Sequence, residues 1–357
     1  MFGLVGPRGV GKSTMILQYI KEHRDLRHIL YIGADHLYFS SHTLVETVDE
    51  FAKEGGEQIF IDEIHKYENW SRELKQIYDS HPDVKVGFTG SSVLDIYKGF
   101  SDLSRRSPIF MMQGLSFREY LKLFHNIEVS VYTLEDILEL KAVLTDVNHP
   151  LPLFRDYLKR GYYPFSGESD FEIRLRQVFN QTMEVDIPQY ANMNASTGRK
   201  LKKLLAVIAQ SVPFKPVMDS LATVVGMSRN VLPDYFLYME QAGMIGQLRD
   251  DTGGIRGVGK VEKVYLDNTN MAYLLGSKIT DVGNIRETFF YNQMRVVSDV
   301  ISSRISDFEI DGKTFEVGGK NKGKKQIAEA KEGYVVKDDI EYGSDNIIPL
   351  WAFGLMY

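Results

Sequence analysis

Short apolar runs rich in β-branched and aromatic residues punctuate the first third of the chain, with amphipathic stretches between them. They are Met1-Phe2-Gly3-Leu4-Val5, His28-Ile29-Leu30-Tyr31-Ile32, Gln58-Ile59-Phe60-Ile61, Val84-Lys85-Val86-Gly87-Phe88-Thr89 and Ile109-Phe110-Met111-Met112. Continuous rather than alternating apolarity predicts buried strands. Helical stretches between them predict an α/β block, residues 1–115, with a parallel sheet covered by helices. From 116 to about 200 the pattern is helical. Ser116-Phe117-Arg118-Glu119 is a capping box, and Phe117, Tyr120, Leu121 and Phe124 form one stripe. Thr133-Leu134-Glu135-Asp136 begins another amphipathic helix.

Residues 201–267 predict a winged helix-turn-helix. A short helix covers 217–225, Gly226-Met227-Ser228 makes the turn, and a second helix covers 229–242, with Ser228 as N-cap and Pro233 in its first turns. Met244-Ile245-Gly246-Gln247-Leu248 and Lys263-Val264-Tyr265-Leu266 would be the wing strands, and the glycine-rich stretch 250–259 their connecting tip. Arg229 is the only cation of the second helix, opposed by Asp234 and Glu240. Phosphate contacts need clustered Lys and Arg, so packing or partner contact is favoured over DNA binding.

Chemistry enters at residues 6–13, Gly6-Pro7-Arg8-Gly9-Val10-Gly11-Lys12-Ser13, which fit the phosphate-loop pattern G-x-x-x-x-G-K-[ST] at every fixed position. Glycines let consecutive N–H groups converge on an anion. Lys12 can reach the β- and γ-phosphates, and the Ser13 hydroxyl can ligate Mg²⁺. A helix from Ser13 to about Glu22 should follow, with Ile16 and Ile20 inward and its N-terminus facing the anion. Residues 6–14, through Thr14, are therefore the expected ATP-binding segment. Lys12 is expected to face solvent until phosphate arrives.

The strand Gln58-Ile59-Phe60-Ile61 ends in Asp62-Glu63. A carboxylate at that tip can hold magnesium beside Ser13, and Glu63 can orient the attacking water, which turns ATP binding into γ-phosphate hydrolysis. Gly90-Ser91-Ser92 follows the strand Val84 to Thr89, and either Ser91 or Ser92 could reach the γ-phosphate; an ordinary loop explains these residues equally well.

The chain has 357 residues, which fits two or three domains. Its 43% hydrophobic content suffices for full cores. Absence of cysteine excludes disulfides, thiolate zinc sites and thiol catalysis. A net charge of −6 gives no global attraction to nucleic acid. No stretch approaches the about eighteen apolar residues of a membrane span, and a strand starting at Met1 leaves no room for a signal peptide. A cytoplasmic location is expected.

Taken together these residues resemble the bacterial AAA-superfamily ATPases that join a P-loop domain to a C-terminal domain of unknown function, itself a winged helix plus a restriction-nuclease-like fold. The likeness rests on residues 6–14, on Asp62-Glu63-Ile64-His65-Lys66 with Trp70 and Lys75, and on Phe88-Thr89-Gly90-Ser91-Ser92. It continues through Leu103-Ser104-Arg105-Arg106, Leu115-Ser116-Phe117-Arg118-Glu119-Tyr120, Gly161-Tyr162-Tyr163-Pro164-Phe165, Tyr265-Leu266-Asp267-Asn268 and Glu316-Val317-Gly318-Gly319-Lys320. It implies a P-loop NTPase core (1–115), a helical lid or linker (116–200), the winged helix (201–267) and a nuclease-like α/β domain (268–357). It also implies that Arg105 or Arg106 stabilises transition-state charge on the γ-phosphate, although an arginine pair between strands is equally well a solvated loop.

Nuclease folds of this kind place one acid on a helix, one at a strand end, and Glu-x-Lys on the next strand, so that the acids hold a metal that activates water. Glu287 falls on a helix expected over 285–300, Asp307 follows Ile305, and Glu316 follows Thr314-Phe315. Gly318 stands where the lysine belongs. Lys320 shares a face with Glu316 only if the strand runs unbroken through Gly318-Gly319. Lys322, Lys324 and Lys325 complete a basic cluster. The expected domain is thus a degenerate nuclease fold kept for binding. The expected whole is a slow ATP-driven switch whose C-terminal domains bind a protein or nucleic acid; an ATP-regulated metal nuclease or DNA-binding regulator is the alternative.

Overall fold

The computed structural model describes residues 1–22, 26–90, 103, 105–145, 147–191, 193, 195–211, 215–251, 259–276 and 282–357. The chain divides into two compact units: Met1–Gly114 with Val185–Met193, and Leu115–Glu184 with Asn194–Tyr357. Most of residues 115–357 share one unit, while Val185–Met193, inside the stretch 116–200 expected as a lid or linker, groups with the first.

The first unit is built on five parallel strands: β1 Phe2–Val5, β2 Ile29–Gly33, β3 Gln58–Asp62, β4 Lys85–Gly90 and β5 Ile109–Met111, in the order β2-β3-β4-β1-β5. β4 therefore lies between the loop-bearing strand β1 and the acid-bearing strand β3. Register pairs Leu4 with Thr89 and Phe60 with both Tyr31 and Gly87. Val5, Ile59, Ile61, Val86 and Phe88 bury one sheet face against Leu44 and Val48 of the helix Leu44–Lys53 and Trp70, Leu74 and Ile77 of the helix Trp70–Ser80. Those side chains recur three or four residues apart, which places them on one stripe of each helix. A full capping box, Thr43 with Glu46, starts the first of these helices.

The second unit holds the helix Phe117–His125, begun by its Ser116–Glu119 capping box, and an aromatic core in which Phe154 meets Phe117 and Phe289 edge to face, Tyr157 meets Phe289 the same way, and Phe117 and Tyr157 are tilted. The helices Ala195–Ser211, Met218–Val225 and Leu232–Gln241 precede an antiparallel ribbon, β6 Ile245–Arg249 with β7 Val261–Leu266. Residues Arg229–Val231 form a 3₁₀ turn rather than the start of the helix, because Pro233 belongs in a first turn and cannot donate deeper in. A second sheet runs β12-β11-β10-β9-β8, from β8 Ile301–Ser302, β9 Phe308–Ile310, β10 Lys313–Gly318, β11 Gly333–Lys337 and β12 Ile347–Pro349. The helix Val282–Val297 carries Glu287. Among the described residues no helix is long and apolar enough to cross a membrane.

Candidate nucleotide site

β1 delivers the phosphate loop and the helix Lys12–Glu22 takes it over, its first turn closed by Met15 N–H donating to Gly11 O at 2.9 Å. Two positions require glycine. Gly6 has φ +153°, and a Cβ there would stand 2.1 Å from Met112 O, which belongs to the strand end hydrogen-bonded to Val5. Gly11 has φ +101°, where a side chain is strained. Of the expected helix stripe, Ile16 is buried and Ile20 half-buried.

Lys12 does not face solvent. It is 6% exposed, and its Nζ donates to Gly6 O at 2.9 Å and Pro7 O at 2.8 Å. A buried ammonium needs acceptors, and the carbonyls of its own loop supply them. Burial lowers its pKa to about 8; neighbouring Glu63 counters and Arg8 adds to the depression. Arg8 itself grips Asp186, Nε to Oδ2 at 3.1 Å and Nη2 to Oδ1 at 3.2 Å.

Ser13 and Asp62 come together: Ser13 Oγ donates to Asp62 Oδ1 at 3.0 Å. Two partners were not legible beforehand. Tyr31 donates its hydroxyl to Asp62 Oδ2 at 2.6 Å, and the fully buried Thr89 donates to Asp62 Oδ1. Burial, then the bond to Asp62, raises the Tyr31 pKa. The only sequence signal for either was a hydroxyl in a strand neighbouring the acid. Hydroxyl and carboxylate oxygens are the donor set a hard cation such as Mg²⁺ takes, so the Ser13–Asp62 pair fits that ion.

Glu63 is a non-glycine residue in the left-handed region, φ 52°. Such strain persists only where surroundings fix it. Here Glu63 N–H donates to Thr89 Oγ1 at 3.1 Å, and His65 Nε2 lies 3.5 Å from Glu63 Oε2. The Glu63 carboxylate stays a quarter exposed, open to water. Ser91 and Ser92 lie outside the described residues. Arg105 is exposed, while Arg106 is bound to Asp79 at 3.0 Å and stands 5.9 Å from the Tyr78 ring centroid.

At the C-terminal acids, expected to be a vestigial nuclease site, a lysine stands between two of the carboxylates. Lys263 Nζ bridges Glu287 Oε2 at 3.1 Å and Asp307 Oδ1 at 3.0 Å, and Tyr265 OH donates to the same Glu287 oxygen at 2.9 Å. Burial, then the Asp307 charge, raises the Glu287 pKa. Asp307 Oδ2 also accepts Val317 N–H at 3.0 Å. Glu316, 1% exposed, accepts from Ser306 and pairs with Lys322. β10 ends at Gly318, so Lys320 does not continue its face and is exposed. A Cβ at Gly318 would stand 2.6 Å from Lys322 Cγ: the Lys322 side chain fills the space left by the missing residue-318 side chain. Among the described residues no cluster of three or more His, Asp or Glu could hold a metal.

Residues 1–121 match the AAA domain family, and residues 151–280 match a domain of unknown function, DUF8612. No curated protein matches the chain. Among solved structures, a Walker-type ATPase of Pyrococcus abyssi is 14% identical over 77% of this chain and 90% of its own, with a TM-score of 0.47. A structure from work on katanin self-assembly is 15% identical over 68% of this chain and 76% of its own, TM-score 0.32. A DNA polymerase III gamma subunit-related protein of Thermotoga maritima is 11% identical over 68% of this chain and 94% of its own, TM-score 0.28. Residues 1–121 thus combine similarity to the AAA domain family with a five-stranded parallel sheet and a glycine-built loop.

Proposed function

We propose that the protein binds ATP with Mg²⁺ at residues 6–14 and hydrolyses the γ-phosphate, using the cycle to switch what its C-terminal unit binds. The observation that carries this is the convergence of Ser13, Asp62, Glu63 and Thr89 beside the loop. Ser13 and Asp62 would hold the ion, which neutralises phosphate charge when bound. Lys12 exchanges the Gly6 and Pro7 carbonyls for phosphate oxygens. Glu63 orients the attacking water and takes its proton. Thr89 fixes both acids by donating to one and accepting from the backbone of the other.

A protein partner fits the second unit better than nucleic acid. Arg229, the one cation of the predicted recognition segment, is paired with Asp219 at 3.1 Å. Nuclease chemistry is disfavoured because the Lys263 ammonium bridges the two acids that would share a metal. Of the four clustered lysines, Lys320, Lys324 and Lys325 are exposed and remain candidates for a polyanion, while Lys322 is engaged by Glu316. Steady-state ATP turnover, measured for the parent, Lys12→Ala and Glu63→Gln with and without DNA and RNA, tests the reading. Turnover in the parent alone is expected; equal rates in all three would overturn it.

A further inference from the structure

Arg8 and Lys12 are the two charged side chains of residues 6–13. Each is satisfied from within the chain: Lys12 by two loop carbonyls, Arg8 by both carboxylate oxygens of Asp186. Asp186 is 8% exposed. It closes a π-helical turn, Thr182–Asp186, and leads into the short helix Ile187–Tyr190. The segment Val185–Met193 groups with the P-loop unit, yet the residues before and after it in sequence belong to the other unit. The loop concentrates two cations, and its glycines at positive φ give the backbone the freedom that an anion-binding loop needs. Arg8 already lowers the proton affinity of Lys12, so the two charges lie within electrostatic reach. A phosphate offers Arg8 a bidentate acceptor at least as good as a carboxylate. Arg106, in contrast, is committed to Asp79.

We propose that Arg8 is a γ-phosphate ligand supplied in cis by the loop itself, and that Asp186 competes with the γ-phosphate for it. The assignment rests on the ATPase reading above and gives it a regulatory contact. As water attacks, the O–Pγ bond forms and the bond from Pγ to the β–γ bridging oxygen breaks. Its electron pair leaves on ADP, and the water proton passes to Glu63. Arg8 offsets charge building on the γ oxygens during that step. ADP has no γ-phosphate, so Arg8 returns to Asp186 and the segment Val185–Met193 is clasped again. ATP releases the clasp, and ADP restores it.

The test compares ATP and ADP affinities by calorimetry with turnover in four variants and the parent. Asp186→Asn removes the competitor and should tighten ATP about tenfold while moving ADP less than about twofold, since a competing state weakens only the ligand that must displace it. Arg8→Met with Asp186→Asn avoids leaving a buried carboxylate unpaired; it should abolish the preference for ATP over ADP and slow turnover at least about a hundredfold. Arg8→Lys should fall between, keeping charge without bidentate geometry. Hydrogen exchange at the backbone amides of Ile187, Gln189 and Tyr190 should rise with a non-hydrolysable ATP analogue and not with ADP, and should start high in Asp186→Asn. ATP and ADP affinities that move together, with turnover at the parent rate, would show a purely structural clasp and overturn the assignment alone. A parent that binds ATP no better than Lys12→Ala, the fourth variant, overturns the nucleotide reading and this proposal with it.

Discussion

Thr89 ties the two acids of the candidate site to each other: its hydroxyl donates to Asp62 Oδ1, and the same oxygen accepts the Glu63 N–H at 3.1 Å. It is fully buried on β4, the strand between the loop strand and the acid strand. Thr89→Val keeps the shape and removes both bonds. An N–H without its acceptor costs about 1–3 kcal/mol where it is buried, and here that cost falls on the strained backbone of Glu63. Turnover is expected to drop about tenfold or more with ATP affinity at saturating Mg²⁺ nearly unchanged, because the loop carries the phosphates and Thr89 only orients the two acids. A loss of ATP affinity equal to the loss of rate would place Thr89 in general folding instead.

Glu63→Gln separates water activation from binding. The amide keeps the size of the side chain and loses its basicity, so hydrolysis should fall by roughly a hundredfold or more while ATP and Mg²⁺ still bind. Asp62→Asn should also raise the Mg²⁺ concentration needed for half-maximal binding, since it weakens the oxygen set it shares with Ser13. Tyr31→Phe removes one of the three hydroxyls that orient Asp62 and should shift the same Mg²⁺ midpoint by a smaller factor. Identical Mg²⁺ titrations in the parent and Asp62→Asn would remove the metal role.

The loop was legible because glycine and lysine spacing dictates its backbone directly: Gly6 and Gly11 hold conformations that other residues strain to adopt. The Asp62-Glu63 pair was legible as the polar end of an apolar strand. Tyr31, Thr89 and Asp186 were not, because each meets its partner across 26 or more residues of sequence, through register or a returning segment. Lys263 reads as an ordinary wing-strand residue until the fold brings it 3.0 Å from Asp307. Lys320 shares a face with Glu316 only where a strand runs on through Gly318 and Gly319. Glycine weakens strands, and β10 stops at the first of them.

Lys12 gives a pH dependence with a definite sign. Its folded-state pKa, about 8, is depressed from an ordinary 10.5. Between those values the unfolded chain binds more protons, so the burial penalty at Lys12 is present in full below about pH 8 and is relieved as pH rises through 8 to 10.5. Nucleotide affinity runs the other way, because the phosphates need the ammonium. ATP affinity should weaken on going from pH 7 to pH 9, by up to about tenfold. Lys12→Arg stays charged throughout and should bind with a flatter profile. Parallel pH profiles for the two proteins would assign the titration to another group.

Lys263 neutralises Glu287 and Asp307 in the second unit, and removing it leaves two partly buried carboxylates facing each other. Glu287, already raised in pKa by burial and Asp307, would then hold its proton more tightly still. Lys263→Met should lower stability by about 2–3 kcal/mol at neutral pH, less than for a fully buried pair because water reaches all three groups. The loss should shrink as pH falls and Glu287 is neutralised. Adding Glu287→Gln should recover part of it, since the remaining acid, Asp307, still accepts the Val317 N–H. Denaturant unfolding at pH 5 and pH 7.5 measures both effects. The rival is that removing the lysine opens a working metal site. In that case Mn²⁺ would stabilise Lys263→Met and support DNA or RNA cleavage that Glu316→Ala abolishes, and that result would replace the structural role of Lys263 with a nuclease held shut by its own lysine.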